Sequence, residues 1–168
     1  MEKEKPEMRE YTVIIHGEPM SKQSVRANPV YKRDGNVATY VRNGKLKCLI
    51  RFHQPSKFAK AEEIIRLSLQ NQIKKDGFKM LEKECHIIRY EIIYPPLKSH
   101  TKKQIEMLQN KEIIYKTTRP DLPDNCKKFY NDCLSGLVWR DDGIICTENG
   151  VVKRYGIKPG VIITVKGY

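Results

Sequence analysis

The chain has 168 residues, 39% hydrophobic and 31% charged, with 32 Lys and Arg against 20 Asp and Glu and a formal net charge of +12. That is the composition of a soluble globular domain with a real core, and the charge makes a polyanion, nucleic acid first, the expected partner. Cys48, Cys85, Cys126, Cys133 and Cys146 show no zinc-ligand spacing and argue against a disulfide framework. They fit a reducing cytoplasm.

No apolar run approaches the roughly 18–20 residues of a membrane span, and the opening MEKEKPEMRE lacks the apolar stretch of a signal peptide. Residues 1–10 are expected to be a solvated tail, and 11–168 one domain. Tyr11–His16 is β-branched and apolar, a strand. Residues 17–29 (GEPMSKQSVRANP) are turn-rich, basic and aperiodic, and predict a loop. Val37–Tyr40 and Cys48–Phe52 flank Asn43–Gly44, a hairpin signature. Phe58, Ala61, Ile64, Ile65, Leu69 and Ile73 predict a helix over Phe58–Lys75. Cys85–Tyr94 predicts a long strand closed by Pro95–Pro96. Ser99 is placed to cap a helix from about His100 to Gln109, and Lys111–Thr118 reads as extended. A further helix is expected to end at Ser135–Gly136, with Asp124 as its N-cap. Ile144–Tyr155 and Gly160–Lys166 read as strands joined by Gly156–Pro159. The order of elements predicts an α+β fold with one mixed sheet and about three helices.

The densest chemistry lies in Arg119–Asp142, RPDLPDNCKKFYNDCLSGLVWRDD. Asp124, Lys128 and Asp132 fall at i, i+4 and i+8, one helical stripe. Asp121 precedes that stripe, Phe129 and Cys133 form the adjacent apolar row, and Asp141–Asp142 follow the helix. Singly, these acids read as a cap, a surface ion-pair partner and an exposed turn. Clustered in a chain of this charge, they would repel unless a cation bound them. An all-oxygen donor set favours Mg2+, with Mn2+ as a substitute. Such an ion could activate water and polarise a scissile phosphate, with Lys128 on the phosphate or the attacking water. The four histidines are scattered. Trp139 reads as core or dimer packing. Lys22 and Arg26, in the long basic loop, read as DNA contacts; Lys57, Lys102, Lys103, Lys127, Lys153 and Arg154 are further candidate DNA contacts, although each of these alone reads as an ordinary solvated charge.

At these residues the sequence resembles the RusA family of Holliday junction resolvases. The matching motifs are Pro120-Asp121, Asp124-Asn125, Lys128, Asn131-Asp132-Cys133-Leu134, Gly136-Leu137-Val138-Trp139, Asp141-Asp142, Lys153-Arg154-Tyr155-Gly156 and Pro159-Gly160. Upstream, GEPMSKQSVR, a basic Pro-Ser-Lys and YPPLKSHTKK also fit. The resemblance implies a small RusA-like α+β homodimer, often phage or prophage encoded, that cuts four-way DNA junctions with Mg2+. It implies metal-binding roles for Asp121 and Asp124, a catalytic lysine at Lys128 and a third acid at Asp142 or Asp141.

The family pattern places one residue between its first two aspartates, and here Leu122 and Pro123 intervene. Either the turn bulges to keep both carboxylates on the ion, or Asp121 contributes less. A second extra residue is expected as a strand bulge near Asn149–Gly150. A non-catalytic DNA-binding module, or a nuclease for other branched DNA or RNA, remain the alternatives. Paired carboxylates facing a phosphate backbone favour a nuclease, because without a cation they would repel the DNA.

Overall fold

Alternation builds the first strand, β1 (Arg9–His16): Val13 and Ile15 are buried while Ile14 is exposed, the period of two of a strand with one buried face. The structure, a computed structural model, describes residues 7–21, 26–53 and 56–168, with the backbone alone at 26–28, 51–53, 56 and 123–125. The fold is α+β, as expected, with a mixed six-stranded sheet and, among the described residues, three α-helices. The chain forms two compact units, Gln23–Ala61 and Met1–Lys22 with Glu62–Tyr168.

The smaller unit holds β2 (Arg26–Pro29), β3 (Thr39–Arg42), β4 (Lys45–Cys48) and β5 (Ile50–His53). β2 pairs antiparallel with β5, and β3 with β4. Asn43 and Gly44 connect β3 to β4 at φ 53° and 71°, the left-handed pair that a two-residue hairpin turn requires. Two expectations are corrected here. Arg26–Pro29 is a strand, not loop; Ala27 and Asn28 supply no apolar alternation, and the pairing is carried by the backbone. The expected strand Cys48–Phe52 breaks at Leu49, whose N–H turns to the Ala38 carbonyl at 2.7 Å. Helix α1 (Ser56–Asp76) begins in this unit and ends in the larger one. Leu69 is buried, but Ile64 is 67% exposed. A stripe running through Ile65 and Leu69 leaves position 64 about 100° around the helix, on the wet side.

The larger unit adds β6 (Cys85–Tyr94), α2 (Lys102–Gln109), β7 (Ile114–Tyr115), α3 (Lys128–Leu134), β8 (Ile145–Glu148), β9 (Val151–Tyr155) and β10 (Gly160–Gly167). The sheet runs β1-β10-β6-β9-β7, and β8 also pairs with β6. β8 and β9 are parallel to β6; the other pairings are antiparallel. β6 carries one bulge: Ile87 pairs with Val165 and Arg89 with Thr164, so Ile88 is left over. The slip shifts the alternation by one residue, so that Cys85, Ile87, Tyr90, Ile92 and Tyr94 are all buried. The bulge expected near Asn149–Gly150 lies instead at Cys146, since Cys85 pairs with Ile145 and His86 with Thr147. Glu148 and Val151 keep a single register on β6; Gly150, at φ 65°, bends the chain without adding a residue.

α2 is capped by Thr101 rather than Ser99: its side chain accepts from the Gln104 N–H, and Gln104 reaches back to the Thr101 N–H, a complete capping box. Among the described residues, no helix is long and apolar enough to cross a membrane.

Candidate active site

The acidic segment begins as a π turn. Leu122–Lys127 is π-helical and runs directly into α3. The Cys126 N–H donates to the Asp121 carbonyl, five residues back, at 3.3 Å. Such a turn accommodates one residue more than an α-helical turn, and this is where Leu122 and Pro123 stand in place of the single residue of the motif. Pro123 falls in the first turn, where a missing N–H leaves nothing unsatisfied. Asp121, not Asp124, is therefore the N-cap, and its carboxylate makes no capping hydrogen bond. Asp121 is exposed. Asp124 lies inside the turn, and its side chain is outside what the structure describes.

Burial orients the rest. Cys126, Phe129, Cys133 and Leu134 are fully enclosed and Tyr130 is 2% exposed. The opposite side carries an exposed Lys128 and a half-buried Asp132. Two tyrosines of β6 hold the turn from below. Tyr94 shares a 3.2 Å hydrogen bond with the Cys126 thiol, and the Tyr90 hydroxyl donates to the Lys127 carbonyl at 3.4 Å. Burial pushes both phenol pKa values up, which keeps the hydroxyls protonated. Tyr130 accepts from the Met20 N–H at 2.8 Å. At the far end, Arg66 Nη1 donates to the carbonyls of Asp132, Cys133 and Ser135 at 3.1, 3.0 and 3.0 Å. These include orphan acceptors of the last helical turn, and the guanidinium complements the negative end of the helix.

The paired acids after the helix are not equivalent. Asp141 caps a short 3-10 turn: Oδ1 accepts from the Gly143 N–H at 2.9 Å and Oδ2 from Arg140 at 2.8 Å. The Arg140 hydrogen bond, followed by the Gly143 amide, holds its carboxyl below the usual range. Asp142 is gripped at Oδ1, which accepts from the indole N–H of the fully buried Trp139 at 2.9 Å.

The basic candidates divide as well. Lys102 and Lys103 are exposed at the start of α2, and Lys57 is exposed in α1. Lys22 lies outside the described residues, as does the side chain of Arg26. Lys127 forms an ion pair with Glu148 of β8. Lys153 Nζ donates to the carbonyls of Thr118 and Pro120, both at 2.7 Å. Arg154 donates to Glu91 at 2.9 and 2.8 Å. Burial alone would raise the Glu91 pKa, but Arg154 and Arg89 outweigh it and lower it.

The sequence reading missed Glu148 and Arg66. Strand alternation gives no reason to link Glu148 to the acidic helix, and Arg66, three residues before the buried Leu69 on α1, is a charge whose carbonyl partners only the fold supplies. Among the described residues, no three His, Cys, Asp or Glu side chains form a group that could hold a metal ion. The family described as endodeoxyribonuclease RusA matches residues 21–166 of the chain. No curated protein matches it.

Proposed function

The chain belongs to the RusA family of endodeoxyribonucleases, and on that premise we propose that it resolves four-way DNA junctions by Mg2+-dependent phosphodiester hydrolysis. The observation that carries this reading is the family match over residues 21–166. The site chemistry supports it. Asp121 presents an exposed carboxylate with no capping bond, and Asp142 has one oxygen pinned by a buried indole. With Asp124 they make an oxygen donor set that suits Mg2+ or Mn2+. Asp141 fits poorly as a ligand, since both of its oxygens already accept hydrogen bonds within its own turn.

A bound Mg2+ would supply Lewis acidity toward the scissile phosphate and the attacking water. The protein does the rest. Asp121, Asp124 and Asp142 hold the ion, and the Trp139 N–H fixes the rotamer of Asp142. Lys128, exposed one turn beyond Asp124, contacts a non-bridging phosphate oxygen, where charge develops, or orients the attacking water. Lys22, Arg26, Lys57, Lys102, Lys103 and Lys127 hold the phosphate backbone; to do so, Lys127 exchanges Glu148 for a phosphate. A homodimer fits this substrate, because a four-way junction is two-fold symmetric and needs two cuts. The role belongs to DNA recombination and repair.

Asp124→Asn tests the reading. It removes a ligand charge without adding repulsion, so it should abolish cutting and leave junction binding equal or tighter. Full cleavage by this variant would remove Asp124 from the mechanism. Equal cutting of flaps or single-stranded RNA would move the substrate class.

A further inference from the structure

Lys153 sits on β9, beside the irregular approach to Asp121. Its Nζ donates to the Thr118 and Pro120 carbonyls at 2.7 Å each, and its own carbonyl accepts the Lys116 N–H at 3.0 Å. One strand residue thus ties both ends of the segment that leads into Asp121. Residues 117–121 lie outside any strand or helix, so no backbone ladder fixes this segment, and Lys153 supplies side-chain donors to two of its carbonyls. An ammonium, with three donors, can serve two acceptors at once.

The Asp121 carboxylate has no capping bond of its own, so the backbone on either side sets its position. After Asp121, its carbonyl is held by Cys126 in the π turn. Before it, the Pro120 carbonyl is held by Lys153. Lys116 reinforces this arrangement: it donates to the Thr118 hydroxyl at 2.6 Å and lies 5.1 and 5.5 Å from the ring centres of Tyr94 and Tyr155. We propose that Lys153 is a positioning residue that aims Asp121 at the divalent ion, and that it does not contact DNA. The inference rests on Asp121 being a ligand, as in the proposed function.

Three measurements on wild type, Lys153→Met and Lys153→Arg test it: Mn2+ binding by calorimetry without DNA, cleavage against Mg2+ concentration, and junction affinity against salt without divalent ions. Lys153→Met should weaken Mn2+ binding and raise the Mg2+ needed for half-maximal cleavage by about tenfold, the scale of lost support behind a metal ligand. Its junction affinity and salt slope should match wild type. Lys153→Arg, which keeps two donors, should recover most of the loss. Lys153→Gln, with its shorter reach, carries the same test if the methionine variant does not fold.

A phosphate contact predicts the opposite pattern, a slope against log salt smaller by about one with Mn2+ binding unchanged, and that result would overturn the proposal. Wild type that binds no Mn2+ and cuts nothing overturns the proposed function. Wild type that binds Mn2+ no better than Lys153→Met overturns this inference alone.

Discussion

The indole N–H of Trp139 donates to Oδ1 of Asp142 across 2.9 Å, from a side chain with no solvent exposure. One buried, rigid group thereby fixes the rotamer of an acid that is itself exposed. Trp139→Phe keeps most of the packing and deletes the donor. Cleavage should fall by about 10- to 100-fold, the usual effect of removing support behind a metal ligand. Stability should fall by only about 1–2 kcal/mol. Rate measurement alongside thermal melting separates the two, and equal loss of both would make Trp139 a packing residue only.

The two adjacent aspartates should separate by function. Asp142→Asn should abolish cleavage with little change in fold. Asp141→Asn should keep most of the cleavage, because this carboxylate serves Arg140 and the Gly143 N–H. Cleavage rates on one junction, with circular dichroism as a control, read the difference. The reverse order would transfer the ligand role to Asp141.

Arg66 gathers three carbonyls at the end of α3. Arg66→Met should lower stability by about 2 kcal/mol and Tm by about 6 °C. Thermal denaturation checks it. A shift below one degree would mean that water replaces the guanidinium without loss.

Glu91 should make the sheet acid-sensitive. Its pKa is lowered by Arg154 and Arg89 against the opposing effect of burial. Below the ordinary glutamate value, about 4.3, the unfolded chain then binds more protons than the native one. The stability from Glu91 is therefore complete above that pH and is lost as pH falls through the lower native value. Urea denaturation at pH 7 and pH 3 should show wild type losing more stability than Glu91→Gln. Equal losses would assign the acid sensitivity elsewhere.

Much of the architecture was written in hydrophobic period and turn chemistry. The run Cys85–Tyr94, closed by Pro95–Pro96, coincides with its strand to the residue, and Asn43–Gly44 marks its hairpin. Arg26–Pro29 was hidden, because its strand identity lies in backbone pairing to distant Ile50–His53. The composition of the acidic helix was legible, but its start was not. A π turn has no side-chain signature, so the sequence points to Asp124 where the fold places the N-cap at Asp121. Lys153 and Arg154 resemble phosphate contacts in sequence because charge is visible there and its partners are not. Only the fold brings the Thr118 and Pro120 carbonyls and Glu91 to them.

Incubation of the protein with a labelled four-way junction and a linear duplex of the same sequence, with and without Mg2+, tests the central claim most directly. The account predicts paired cuts in the junction only, dependent on Mg2+ and supported by Mn2+. A folded protein that binds the junction yet leaves it intact in both ions would contradict it.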